Sequence, residues 1–380
     1  MILLDDAQST ATHPTSRLYQ SAKQYWRVLP SGNATTDEAA IHACIEELSK
    51  ASAKGQYLVA AFAYELGRSI HKLPYPDQAS DTHPLIEAWS FDSVQKQSKE
   101  AVDQFISQEL SQFNSSVAGV LDVQESLTQK QFCDDVAKIQ EYIRSGDTYQ
   151  INHTYRIRGQ TYGSPLALYN LLRNRQPGRF GAYIAQDNHY LLSQSPELFI
   201  ERKGDTLTAM PMKGTASALS TESSSLADDP KNQAENVMIV DLLRNDLSRV
   251  AKTGSVRVPT LCGLETYANV HHLVSVIEAT LKPEYDLFDL IRATFPGGSI
   301  TGAPKIKAMD IIAEQEKTPR GVYCGAMQPR WVASRMPLHV AGACASAKRS
   351  APMTANSPSA SPAKTSSPSR RKSSAPALSP

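Results

Sequence analysis

Cysteine is scarce and scattered, five in 380 residues, with no C-x-x-C pair. That excludes a disulfide framework, argues against structural zinc, and fits reduced thiols in a cytoplasmic setting. Long apolar runs are missing as well. Tyr57 to Tyr64 is among the longest, far short of the roughly 20 residues that a membrane helix needs. Met1-Ile2-Leu3-Leu4 leads straight into Asp5-Asp6, with neither a basic segment nor a long apolar one, so no leader peptide is expected. Net charge is nearly absent too, at 39 Lys+Arg against 38 Asp+Glu. The balance hides an asymmetry: Met327 to Pro380 holds eight basic residues and no acidic one, which leaves the rest at −7. Such a body must concentrate its cations locally to bind an anionic ligand.

What is present suits a soluble globular chain: 41% hydrophobic residues and length for one large domain or two ordinary ones. Asp37 to Ala51 reads as an amphipathic helix and Gln56 to Gly67 begins as a buried strand, so residues 1–124 form an expected N-terminal lobe. Residues 125–326 follow as a second domain. In it, Phe132, Val136, Ile139 and Ile143 are spaced for one buried helical face over Leu127 to Ser145. Gly181 to Ala185 and Tyr190 to Leu192 flank a Gln186-Asp187-Asn188 turn, the pattern of a hairpin. Ser217 to Asp229 reads as a mobile polar loop. Ser255 to Val258 and His271 to Leu281 alternate as strands do, and helices are predicted over Leu287 to Thr294 and Ala303 to Glu316.

The chain is organised around Ser195 to Asp246. Phe199-Ile200 and Leu207 to Met210 flank Lys203-Gly204-Asp205, which reads as two strands and a tight turn. That hairpin sets Glu197 and Lys213 at its open end, roughly opposite each other, as a plain ion pair or as a working pair. Asp228-Asp229-Pro230 caps a helix carrying Val237, Met238, Val240, Leu242, Leu243 and Leu247 at helical spacing. Glu235, Asp246 and Arg249 fall near one stripe of it, either a solvated face or the wall of a cavity.

These motifs closely resemble the chorismate-binding enzyme family, which includes the anthranilate, aminodeoxychorismate, isochorismate and salicylate synthases. The resemblance runs from about Phe132 to Ala326 and includes Gly146 to Asn152, Val270 to Ser275 and Pro296 to Lys305. It implies an α+β fold of two stacked antiparallel sheets wrapped by helices, with its C-terminal part incomplete here. Lys213 matches the lysine that, in aminodeoxychorismate synthases, attacks C2 of chorismate as the 4-hydroxyl leaves; anthranilate synthases typically carry alanine there. Burial beside another cation helps such a lysine shed its proton. Glu197 matches the general acid/base, which an apolar setting keeps protonated. Glu235 matches a ligand of a Mg²⁺ ion that grips the ring carboxylate. His272, Ser299, Tyr323 and Thr215 match substrate contacts, and the amides around Gly297 and Gly298 match a carboxylate cradle. Ammonia would come from a glutamine amidotransferase subunit, since no such Cys-His constellation is evident.

From Met327 the character changes. Ser, Ala and Pro make up 31 of the last 54 residues, too polar and small for a core. Met327-Gln328-Pro329-Arg330-Trp331 stands where the resemblance calls for an Ile-Gly-Tyr strand. Residues 327–380 therefore read as a disordered basic tail, with a change of reading frame near 327 favoured over a nucleic-acid anchor. The family's substrate arginine, glycine-rich loop and second metal glutamate have no counterpart in it. Three functions follow: an aminodeoxychorismate synthase component I whose present chain is inactive, an anthranilate synthase component I, or a dead fragment that only docks to an amidotransferase or binds nucleic acid.

Overall fold

The structure is a computed structural model that describes residues 1–74, 83–112, 117–217, 226, 228–266, 270–328, 335–340 and 343–348. Two antiparallel sheets carry the fold. The smaller runs in the order Ala343–Lys348, His189–Ser195, Phe180–Gln186, Ile2–Asp5, Ser16–Tyr19, Gln95–Gln97. The larger runs Met212–Ser217, Val270–Thr280, Thr206–Met210, Leu198–Lys203, Arg335–Val340, Ala326–Gln328, Tyr57–Phe62, Ile86–Phe91, Gln24–Val28, with Arg257–Thr266 also paired to Val270–Thr280.

Side-chain alternation explains how the sheets stack. Ile2 and Leu4 join Val59, Ala61, Trp89 and Met327 in one buried cluster drawn from both sheets. Leu3, between them in sequence, faces the other way, onto the helices Lys99–Ser111 and Pro165–Arg175. On the larger sheet Leu58, Ala60 and Phe62 pack against the helices Ala34–Ala53, Pro230–Ser248 and Leu287–Thr294. Strands covered on both faces read as continuous apolar runs, as Ile2 to Leu4 and Tyr57 to Phe62 do. The fold is α+β, two stacked sheets wrapped by helices, as expected.

Local chemistry accounts for the elements that place the site. Asp187 and Asn188 both take positive φ between the paired Gln186 and His189, a two-residue turn one residue shorter than the expected Gln186-Asp187-Asn188. Gly204-Asp205 closes the next hairpin, in which Leu198 pairs with Met210 and Lys203 with Thr206. Asp229 caps the Pro230–Ser248 helix by accepting from the Lys231 amide, with Pro230 at the first helical position. The Leu287–Thr294 helix has the expected bounds, fixed by a capping box between Asp286 and Asp289. Arg257–Thr266 runs further than its alternating residues suggest. Most of the polar loop expected over Ser217 to Asp229 lies outside the described residues.

Two boundaries expected from sequence are corrected. Residues 1–124 are no separate lobe: Ile2–Asp5 pairs with Phe180–Gln186, Tyr57–Phe62 pairs with Ala326–Gln328, and Met1–Arg349 forms one compact unit. A strand buried on both faces sits inside a sheet, whatever its position in the chain. Nor does order end at residue 327. Arg335–Val340 pairs with both Leu198–Lys203 and Ala326–Gln328, and Ala343–Lys348 pairs with His189–Ser195. Backbone hydrogen bonds hold these strands, and a composition rich in small residues does not forbid them. Residues 349–380 lie outside the described residues.

Candidate active site

Three segments meet on the helix-covered face of the larger sheet. The first is Ser195-Pro196-Glu197, where the chain crosses from the strand His189–Ser195 of one sheet to Leu198–Lys203 of the other. Ser195 Oγ accepts the Glu197 amide at 3.3 Å. The second is the strand Met212–Ser217, which carries Lys213 opposite Leu273. The register slips just after Lys213, at Gly214, whose φ is +74° and whose missing Cβ would lie 3.1 Å from Leu226 and 3.2 Å from Asn232. A side chain there would strain the backbone and crowd the Pro230–Ser248 helix.

The third segment is the turn Phe295 to Thr301. Gly298 lets it pass under that helix, since a Cβ would sit 2.4 Å from Leu242 Cδ2. Ser299 then bridges the other two segments. Its hydroxyl donates to Glu197 Oε1 at 2.8 Å, and its carbonyl accepts Lys213 Nζ at 3.4 Å. The expected pair at the hairpin mouth therefore shares a serine.

Burial pushes the half-buried Glu197 carboxyl up to about 7, against the opposing pull of the Ser299 hydrogen bond and the Lys213 charge. A carboxylic acid with that affinity exchanges a proton at neutral pH. Beside Lys213, His272 Nδ1 lies 3.2 Å from both Thr215 Oγ1 and the Gly214 carbonyl. Tyr323 is half-buried and packs, with Ile300, against Tyr64, Met309 and Ile312; burial, then the neighbouring Cys324, raises its phenol to about 12.

Glu235 is half-buried near the start of the Pro230–Ser248 helix. Among the described residues, no group of three or more His, Cys, Asp or Glu side chains gathers to hold a metal. Magnesium keeps much of its water and takes one or two protein carboxylates together with substrate oxygens, so a single glutamate is compatible with it. Glu235 is the residue that would hold the expected Mg²⁺, which would there neutralise a substrate carboxylate.

Sequence patterns missed two buried groups. Lys305 Nζ reaches Asp246 Oδ2 and the Thr294 carbonyl, each at 2.6 Å, with both side chains nearly inaccessible. The polar stripe on the helix thus faces an ion pair at Asp246. Asn236, fully buried, ties the same helix to the Leu273 carbonyl behind Lys213. Their one signal was a polar residue punctuating an apolar helix. A cleft of about 750 Å³ opens on the opposite face of the sheet, lined by Arg179, Phe180, Pro196, Met210, Met212 and Met327 among others, and by none of Glu197, Lys213 or Ser299. Met212 and Lys213 are adjacent on one strand and so face opposite ways.

No helix among the described residues is long and apolar enough to cross a membrane. The model of the chorismate binding enzyme family matches residues 5–328. The chain is 41% identical over 208 residues to aminodeoxychorismate synthase component 1 of Klebsiella aerogenes, covering 53% of this chain and 46% of that one. It is 38% identical over 208 residues to anthranilate synthase component 1 of Aquifex aeolicus, covering 53% and 42%. The chain spans about half the length of the curated relatives it matches. Anthranilate synthase component I from Streptococcus pneumoniae superposes with a TM-score of 0.66 at 27% identity, over 77% of this chain and 72% of that one.

Proposed function

The chain belongs to the chorismate binding enzymes, and from that premise we propose that its site is built for the amination of chorismate to 4-amino-4-deoxychorismate. One observation carries the reading: a lysine and a carboxylic acid joined through Ser299, at 3.4 and 2.8 Å. In this mechanism the Lys213 amine attacks C2 of the ring. The two ring double bonds shift, the C4–O bond breaks, and Glu197 gives its proton to the departing hydroxyl, which leaves as water. Ammonia then adds at C4, the double bonds return, the C2–N bond to Lys213 breaks, and the surplus proton on the new amine returns to Glu197. Covalent catalysis splits one hard displacement into two easier ones.

With Oε1 accepting from Ser299, the proton of the acid form sits on Oε2, the oxygen left to face a leaving group. Thr215 and His272, held together beside Lys213, are placed to take a polar group of the substrate. The amides around Gly297 and Gly298, in a turn where a Cβ at Gly298 would meet Leu242, suit a carboxylate. Ammonia would come from a separate glutamine amidotransferase subunit.

Anthranilate synthase relatives match at similar identity, so anthranilate is the competing product. It requires no nucleophile at Lys213. Restoring the missing C-terminal arginine, glycine-rich loop and glutamate, incubating that version with chorismate, ammonium and magnesium, then identifying products by mass spectrometry, separates the two. Aminodeoxychorismate supports the proposal and anthranilate overturns it. A folded chain that binds chorismate without turnover would favour a docking fragment.

A further inference from the structure

A dense buried charge cluster lies directly behind the Ser299 turn. Arg320 is almost wholly inaccessible, and its guanidinium lies 4.5 Å from the centre of the Tyr64 ring. Nη1 donates to the Ile300 carbonyl at 2.7 Å and Nη2 to the Asn152 carbonyl at 2.6 Å. Nε and Nη2 also donate to the two oxygens of Glu316, at 2.8 and 2.7 Å. Asn152 adds a second donor to the same Ile300 carbonyl at 3.1 Å, and its own amide donates to Thr301. Glu65 holds the cluster from below by accepting the amides of Arg320 and Gly321 at 2.6 and 3.0 Å.

The placement of these bonds is informative. An ion pair between Glu316 and Arg320, one helical turn apart in sequence, would satisfy both charges locally. Arg320 makes that pair with its Nε–Nη2 edge and, in addition, donates to the carbonyls of two loops. One of those carbonyls belongs to Ile300, the residue after Ser299. Shifting that peptide turns the Ser299 hydroxyl off Glu197 and moves the carbonyl that receives Lys213.

We propose that Arg320 is a positioning residue: by gripping the Ile300 carbonyl, with Asn152 beside it, it aims Ser299 at Glu197 and Lys213. The inference deepens the functional reading of that pair and rests on it for significance, but its test needs no turnover. The readout is the titration of the Glu197 carboxyl, followed by NMR with carbon-13-labelled glutamate and assigned by E197Q. Lys213 and Ser299 are the groups facing it.

Ser299→Ala removes a hydrogen bond to the charged form and should raise the Glu197 midpoint by about one pH unit. Arg320→Lys, which keeps the charge and loses the fork, should raise it similarly. The double variant should move no further than Ser299→Ala alone, because both changes act through one bond. Asn152→Ala, which removes only the weaker donor, should give a smaller rise and serves if Arg320→Lys does not fold. A Glu197 midpoint unchanged in folded Arg320→Lys or, failing that, in Asn152→Ala would make the cluster merely stabilising and overturn the proposal. A chain that never consumes chorismate leaves this result intact, so the two readings fail separately.

Discussion

The hydroxyl of Ser299 lies 2.8 Å from Glu197 Oε1, although 101 residues separate the two in sequence. That bond lowers the affinity of Glu197 for its proton, whereas burial raises it, and burial prevails. A carboxyl near 7 must be protonated to act as an acid, so chorismate consumption should fall as pH rises through about 7. Ser299→Ala should carry that falling limb to higher pH while lowering the rate about tenfold, since a misaimed acid transfers its proton poorly. A pH–rate profile with saturating ammonia checks both.

The same shift bears on stability. Glu197 holds its proton more tightly folded than unfolded, so its contribution is fully present at acid pH. It is lost as pH climbs from the ordinary carboxylate range through about 7. Glu197→Gln, which does not ionise, escapes that loss. Near pH 8 it should be more stable than the parent by about 1–3 kcal/mol, and near pH 4 the difference should vanish. Urea unfolding at the two pH values measures it.

Lys305 and Asp246 form a buried ion pair with a 2.6 Å contact. Asp246→Asn leaves a buried ammonium without its counter-charge and should cost about 3–5 kcal/mol. Replacing both, as Asp246→Leu with Lys305→Met, should recover most of that cost. Denaturant midpoints of the single and double variants decide.

Gly298 passes beneath Leu242, whose side chain must shift to admit a methyl group. Gly298→Ala should lose about 1–3 kcal/mol of stability through overpacking and displace the Ser299 turn. Thermal unfolding and the Glu197 titration together report both effects.

Much of this arrangement was legible locally. Gly204-Asp205 marks a turn, and the turn sets Glu197 and Lys213 at one hairpin mouth. Asp229 and Pro230 mark a helix start because capping needs only neighbouring residues. Contacts between distant segments were not legible. The Ser299 bridge and the Arg320 grip on Ile300 tie side chains to partners far along the chain, which no periodicity encodes. The expected lobe boundary failed because Ile2–Asp5 finds its partner at Phe180–Gln186, far along the chain. The expected tail failed at Arg335–Val340, where strand pairing depends on backbone groups more than on side chains.

The central claim is that Lys213 becomes covalently bonded to the substrate. Intact-protein mass spectrometry of the chain, quenched with acid after mixing with chorismate in the absence of ammonia, tests it directly. The account predicts a species heavier by chorismate less water, mapping to the peptide containing Lys213 and absent from Lys213→Ala. Chorismate consumption by a Lys213→Ala variant at the parent rate, with no adduct in either protein, would contradict it.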